Sequence, residues 1–378
     1  MKIYDLIATS AFGIEAVIKR ELQNLGIENI KLSDGKAEFK GDAQVIAKCN
    51  LNLRCADRVL IKVGEFKALS FVELFDKTYE LPWEEFIDYE GIFNVDGKSR
   101  DSKLFSISDS QRIVKKAISK KLGKAYNCEI LPETKGLYPL QVSLLKDMAT
   151  VTLDTSGEAL HKRGYRQEQG EAPIKETLAT AMILLSYWNE SRFLADLFCG
   201  SGTIPIEAAM IAKNIAPGLE RSFISADWSI IGEQPYKAQR RIALKSIKDI
   251  KLNILASDID RRSVSKAREN AKFFGLEEDI DFITKDFREV DLKDNYGVLI
   301  SNPPYGERMG EREEVIKLYK DLGIKFKELS TWSKYIISSC EDFEKFFGQR
   351  ADRKRKLYNG RIKSDYYQYY GPKPKYLD

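Results

Sequence analysis

Four short segments hold residue types whose spacing could do chemistry on a cofactor and an amine. The first is Asp196-Leu-Phe-Cys-Gly-Ser-Gly-Thr203, an apolar strand ending in a carboxylate and followed by a glycine turn that opens a helix. Such glycines let a ligand lie against main-chain amides at a positive helix end. The segment has neither the Lys-Ser/Thr of a phosphate loop nor Gly-x-Gly-x-x-Gly spacing. Its acidic strand end suits a ligand carrying a cation, such as an amino acid's ammonium; a purely structural turn is the competing reading. The second is Ser257-Asp258-Ile259-Asp260. Asp258 can accept both ribose hydroxyls of a nucleoside cofactor, whereas Asp260 is placed to cap a helix starting near Arg261. In the third, Lys285-Asp286-Phe287, a carboxylate with a ring beside it could meet an adenine amino group, or the segment is a surface turn.

The fourth segment, Asn302-Pro303-Pro304-Tyr305, decides between these readings. At average residue usage this tetrapeptide would arise by chance about once in a thousand chains of this length. Two prolines fix the backbone and remove amide donors, leaving carbonyl oxygens as acceptors. With the Asn302 side-chain carbonyl they can hold the two hydrogens of an exocyclic amine. Tyr305 supplies a face on which an extruded base can stack.

The elements that position these residues alternate strand and helix. Strands are expected at 192–198, 253–259, 281–287, 296–301 and 335–339, with helices after the first two. That alternation implies a doubly wound, mostly parallel sheet in an α/β domain, closed by an antiparallel strand near 366–370. The first 60 residues read as a smaller α/β unit, and a second runs to about 155 with strands at 141–145 and 148–153. The 37-residue stretch 216–252, with Trp228, Arg240 and Arg241, is long for a loop; it either shapes the entrance for a target base or adds a helix.

Composition narrows the chemistry further. The 378 residues carry 61 Lys+Arg against 57 Asp+Glu, and no apolar run approaches a membrane span. Five scattered cysteines without a C-x-x-C pair fit reduced thiols in a cytoplasm. With a single histidine, His161, a Ser-His-Asp triad has one candidate and a metal site is not expected. The small net charge of +4 hides a stretch from Lys98 to Lys124 with nine bases and two acids. Lys98, Arg100, Lys103, Arg112, Lys115, Lys116 and Lys120 are its candidate RNA contacts, although charge runs are usually solvated faces. A second basic run spans Arg350 to Lys363.

The four acidic and amine motifs, in this order, resemble a class I S-adenosylmethionine-dependent methyltransferase acting on an amino group. His161-Lys-Arg-Gly-Tyr-Arg166, Ala172-Pro-Ile-Lys-Glu-Thr-Leu178, Ser301-Asn-Pro-Pro-Tyr-Gly-Glu-Arg308 and Arg355-Lys-Leu-Tyr-Asn-Gly360 extend the likeness. Together with the Asp196 segment, they resemble the THUMP-containing RNA guanine-N2 methyltransferases, and most of all the bacterial 23S rRNA form. The resemblance implies a ferredoxin-like domain over 1–64, a THUMP domain over 65–158 and a Rossmann-like methyltransferase domain over 159–378. It implies S-adenosylmethionine held by Asp196, Phe198, Gly200, Ser201, Gly202, Thr203, Asp258, Ile259, Asp286, Phe287 and Asn302. Glu176 and Thr177 would cover its methionine end. Asn302, Pro303, Pro304 and Tyr305 become the catalytic loop, and Cys199 a small packing residue. His161 and Arg163 would touch RNA or fix an interdomain angle. Leu197 stands where many relatives have proline, and a second methyltransferase domain carried by some relatives is not expected. The competing functions are a tRNA guanine-N2 methyltransferase, an adenine-N6 methylase sharing the amine motif, and a non-catalytic RNA-binding factor.

Overall fold

The computed structural model describes residues 2–166, 174–292, 295–305, 312–360 and 362–373; Ala172, Pro173, Gly306, Glu307, Arg308 and Arg361 from the motifs above lie outside them. These residues divide into two compact units. One comprises residues 1–9, 19–160 and 221–242, and the other 10–18, 161–220 and 243–378.

Alternating apolar residues and polar caps set the elements of the N-terminal half. They run β1 (Tyr4–Thr9), α1 (Glu15–Asn24), β2 (Lys31–Ser33), β3 (Lys36–Gly41), α2 (Ala43–Asn52), β4 (Arg58–Lys67), α3 (Phe71–Tyr79), β5 (Gly91–Arg100), α4 (Ile107–Ala125), β6 (Lys135–Leu145) and β7 (Met148–Asp154). Asp42, Ser70 and Ser106 accept main-chain N–H bonds at the starts of α2, α3 and α4. The seven strands form one sheet in the order β2-β3-β1-β4-β7-β6-β5, antiparallel except for β5 beside β6. β4 pairs with both β1 and β7, so the two expected α/β segments share a continuous sheet. Val114, Ala117, Ile118 and Leu122 bury one face of α4.

The 216–252 stretch contains α7 (Glu233–Lys245), and residues 221–242 pack into this same unit. Trp228 stacks on Tyr138 at 4.8 Å and donates to the Leu137 carbonyl at 2.9 Å. Asn50 donates to the Tyr236 hydroxyl at 3.0 Å. Reading the stretch as part of the base entrance misses this, because its anchoring partners lie 90 to 190 residues away in sequence.

The second unit holds α5 (Glu176–Leu184), β8 (Leu194–Asp196), α6 (Thr203–Ala212), β9 (Ile254–Asp258), α8 (Arg261–Lys272), β10 (Asp281–Thr284), β11 (Val298–Ser301), α9 (Arg312–Glu328), β12 (Ser333–Ser338), α10 (Phe343–Phe347), β13 (Arg353–Asn359) and β14 (Ile362–Tyr369). Its sheet runs β10-β9-β8-β11-β12-β14-β13. β8 to β12 are parallel to their neighbours, and β14 enters antiparallel. The expected doubly wound α/β sheet with an antiparallel closing strand is therefore present. β8 is shorter than the apolar run 192–198, because the Phe198 N–H turns back to Asp196 Oδ1 at 3.1 Å and takes the chain out of the sheet. Leu299, Tyr319, Phe326, Trp332, Ile336, Phe343 and Tyr367 share the core on one side. Central strands buried on both faces leave only their carboxyl edge for polar chemistry.

Candidate active site

Strand ends β8, β9 and β11 meet at that edge. Cys199 N–H donates to the Ser257 carbonyl at 2.9 Å, and Gly202 N–H closes a turn onto the Cys199 carbonyl at 2.8 Å. Gly200 N–H donates to Asp258 Oδ2 at 2.9 Å, and Asn270 of α8 donates to the Ser201 carbonyl at 2.9 Å. The loop is thus tied to β9 and α8 before any ligand arrives. Gly202 has φ +82°, and a Cβ there would stand 2.9 Å from the Ala267 Cβ. Left-handed backbone and close helix approach both demand glycine. Thr203 begins the ten-residue α6 directly after it.

Asp196 is buried, 1% exposed. Its Oδ1 accepts from Ser301 Oγ at 2.8 Å and from Phe198 N–H at 3.1 Å. Ser301 Oγ also accepts from Leu197 N–H at 3.0 Å, so one hydroxyl at the end of β11 joins that strand to the end of β8. Burial dominates over these two donors, and with nearby Asp258 opposing ionisation the Asp196 carboxyl is pushed up to about 7. Cys199 is buried as well, and burial beside Asp196 pushes its thiol far above the ordinary range, which suits packing and not thiolate chemistry.

The other acidic positions carry partners of their own. Asp258 Oδ1 accepts the Asp260 N–H at 3.0 Å, and Asp260 caps α8 through the N–H groups of Arg262 and Ser263. Asp286 is held by Arg288, whose Nη1 lies 2.6 Å from Oδ2 and whose N–H donates to Oδ1 at 2.9 Å. Phe287 is buried and 5.1 Å from Phe198, which brings the two rings of the sequence reading together; Ile259 is 70% exposed.

At the end of β11 the Asn302 side-chain carbonyl accepts the Tyr305 hydroxyl. The Pro304 carbonyl accepts Tyr319 Oη–H at 2.9 Å, and Tyr319 Oη also lies 3.0 Å from Ser338 Oγ. Tyr305 therefore reaches back toward Asn302, and Pro304 is anchored to α9. Of the acceptors expected to face an incoming amine, the Asn302 side-chain carbonyl has a protein partner in this arrangement, and the Pro304 carbonyl beside them is held by Tyr319.

Glu176 and Thr177 start α5, and both are buried, each 3% exposed. Arg166 Nη2 donates to Thr203 Oγ1 at 2.7 Å and to the Ile174 carbonyl at 3.0 Å, and lies 3.4 Å from Glu176 Oε1. Glu176 Oε2 is buried with no hydrogen-bond partner among the described residues, an acceptor suited to a cationic ligand. Beneath it, Arg163 Nε lies 3.3 Å from Glu207 Oε1, and Thr180 donates to Oε2 at 2.6 Å. Arg163 is 1% exposed and is thereby a core ion-pair residue, not an RNA contact. Burial, with nearby cations adding to it, lowers the His161 imidazole to about 4 and keeps it neutral.

The basic stretch divides. Phe93 is buried and Gly97 lies against Ile107 and Gln111 of α4, so Lys98 and Arg100, at alternate positions of edge strand β5, point to the opposite face of the sheet. Arg112, Lys115, Lys116 and Lys120 are exposed on α4, with Lys115 Nζ 5.4 Å from the Phe93 ring centre. Lys103 lies exposed between them, its N–H bonded to Asp147 at 2.7 Å. Two basic surfaces replace the single run seen in sequence.

Family models match the chain in three places: an RlmL ferredoxin-like domain over 5–60, a THUMP domain over 68–154, and an RMKL-like methyltransferase domain over 163–368. The chain is 50% identical over 375 residues to the Bacillus subtilis (strain 168) protein "Putative RNA methyltransferase YpsC", covering 98% of this chain and 97% of that one. The chain belongs to the THUMP-containing class I RNA methyltransferases. Among solved structures, SMU.472, described as a putative methyltransferase complexed with SAH, superposes with a TM-score of 0.94 at 45% identity, covering 99% of this chain and 100% of that one. A Listeria monocytogenes str. 4b F2365 structure described as a predicted N6-adenine-specific DNA methylase gives a TM-score of 0.94 at 47% identity, with 98% and 97% covered.

For a THUMP methyltransferase, sequence reasoning missed Ser301, Asn270, Arg166 and the Arg163–Glu207 pair as supports of the loop. Asn270 left a faint signal, a polar residue on the stripe formed by Val264, Ala267 and Ala271.

Proposed function

We propose that the chain transfers a methyl group from S-adenosylmethionine to the exocyclic N2 of a guanine in structured RNA, with 23S rRNA as the substrate. The observation that carries this reading is the bond from Ser301 Oγ to Asp196 Oδ1 at 2.8 Å. It fixes the amine-holding loop against the carboxylate that suits the donor's ammonium. When bound, the donor supplies an electrophilic sulfonium methyl. Asp196 and Glu176 would hold its ammonium end, the turn Gly200–Thr203 with Phe198 and Ser201 would lie along it, Thr177 would cover it, Asp258 would take the ribose, and Asp286, Ile259 and Phe287 would border the adenine. The buried orphan oxygen of Glu176 and the glycine cradle at Gly202 fit such a ligand.

The guanine amine is a poor nucleophile because its lone pair is conjugated with the ring. Asn302 and the Pro303 carbonyl accept its hydrogens and favour the pyramidal form, whose lone pair can reach the methyl. The Tyr305 hydroxyl must leave Asn302 as the amine arrives, which frees the Tyr305 ring to stack on the base. Tyr319 holds the Pro304 carbonyl and keeps the loop in place. Orientation of this kind can lower a barrier by about 7–11 kcal/mol in well-aligned systems. From the THUMP domain Arg112, Lys115, Lys116 and Lys120 contact RNA phosphates on the α4 face, and Lys98 and Arg100, with Lys103 between, contact them on the opposite face.

The test is methyl transfer from labelled donor to protein-free 23S rRNA, total tRNA and DNA, with the product nucleoside identified by mass spectrometry. N2-methylguanosine in 23S rRNA is the expected product. The same nucleoside in tRNA alone would move the substrate, and methyladenine in DNA would overturn the reading.

A further inference from the structure

The last hairpin of the methyltransferase sheet carries a basic and aromatic surface that the site above does not use. Ser338 ends β12 at the carboxyl edge, and its register partner on β14 is Asp365. Asp365 faces Lys356 of β13, and two residues further on Lys363 faces Tyr358. The hairpin therefore continues past the edge where Asp196, Asp258 and Asn302 lie. At about 3.3 Å per residue, Lys363 and Tyr358 stand roughly 7 Å beyond it, and two strand steps of about 4.8 Å separate β14 from β11.

Direct register partners point to one side of a sheet, so Lys356, Tyr358 and Lys363 share a side with Tyr367. Tyr367 packs on Phe343 at 4.5 Å, and Phe343 on Tyr319 at 4.9 Å. Tyr319 is the residue that anchors Pro304. The overhang side chains thus share a side of the sheet with the Tyr367–Phe343–Tyr319 contacts that reach the amine loop. Lys356 and Lys363 are exposed, with no carboxylate within 4.0 Å among the described residues; the nearby Asp365 pairs with Lys354 at 3.6 Å. Phe12, 46% exposed, meets the half-buried Tyr358 edge-on at 6.0 Å. Gly13, at φ +96°, permits this approach, since a Cβ there would stand 2.6 Å from the Lys356 carbonyl.

The geometry points to a clamp for the RNA strand that flanks the target base: Lys356 and Lys363 on successive phosphates, and the Phe12–Tyr358 pair as a stacking platform for a neighbouring base. This rests on the reading that the chain methylates RNA. The test measures binding of full-length protein to protein-free 23S rRNA across a salt series, a readout independent of which base is modified. The Lys356→Gln/Lys363→Gln double variant should bind about tenfold more weakly, with its log–log salt slope reduced by about 1.4 for two single-strand contacts. Tyr358→Ala should cost roughly 5- to 150-fold by loss of a stacked base. Affinity for S-adenosylhomocysteine and the melting temperature of the double variant should stay at wild-type values, and the Lys→Arg pair should restore RNA binding. Unchanged affinity and slope in the Gln variant, with wild type binding RNA, would overturn the clamp alone. Absence of RNA binding by the wild type would sink the RNA reading and the clamp with it.

Discussion

Lowering the pH should weaken cofactor binding chiefly through Asp196, with the Glu176 carboxyl, also raised by burial, adding to the loss. The Asp196 carboxyl is fully buried, its Oδ1 is served by two donors, and its ionisation is pushed up to about 7. A ligand ammonium interacts favourably with the carboxylate and not with the acid, so the dissociation constant scales as one plus the ratio of acid to carboxylate. Against pH 8, that factor is about 2 at pH 7 and about 10 at pH 6, or about 1.4 kcal/mol at the latter. Calorimetry with S-adenosylhomocysteine between pH 5.5 and 8 tests it, using buffers of different ionisation enthalpy to count protons. Close to one proton, about 0.9, should leave Asp196 per ligand bound at pH 6. The Asp196→Asn variant should bind weakly at every pH and lose the part of the slope centred near 7, keeping only what the buried Glu176 carboxyl contributes. A flat wild-type profile, or a slope near pH 7 undiminished in Asp196→Asn, would refute the reasoning. The sign for stability runs the other way. The folded carboxyl holds its proton more tightly than the unfolded one, so this group's stabilisation is full below about 4 and is lost as pH rises through about 7. Ligand-free Asp196→Asn should therefore melt above wild type at pH 8.

Other expectations follow from particular contacts. Asn302→Ala should lower kcat about a hundredfold, near 3 kcal/mol by analogy with other positioned polar groups, and leave the cofactor dissociation constant within about twofold; unchanged turnover in a single-turnover assay would remove Asn302 from the chemistry. Gly202→Ala meets Ala267 in a left-handed backbone, and calorimetry should show cofactor affinity falling at least about tenfold. Glu207→Ala strands the buried Arg163 guanidinium, and urea unfolding should report a loss of about 3–5 kcal/mol. Trp228→Ala, removing a fully buried ring and its bond to Leu137, should cost about 3–5 kcal/mol in the same assay.

Much of the sheet's carboxyl edge was legible because its residue types answer local demands. Gly202 must adopt a left-handed turn under a helix, Asp260 must cap α8, and the two prolines of the amine loop must stiffen a strand end. Such requirements act over a few residues and leave their mark in composition and spacing. The alternation of strands and helices was readable for the same reason, since burial on both faces of β9, β11 and β12 selects short apolar runs.

What the sequence could not decide depended on partners far along the chain. Residue types alone left Arg163 open between RNA contact and structural support, and burial against Glu207, 44 residues away, settled it. The single basic run became two surfaces because β5 points alternate side chains to opposite faces while α4 covers only one of them. The stretch around Trp228 joined the N-terminal unit through Tyr138, 90 residues earlier. The lysines of the last hairpin gained meaning only from the register of β12, β14 and β13. Local conformational requirements are written in neighbouring residues; burial, facing and register are set by whatever the folded chain brings alongside, and those the tertiary structure alone decided.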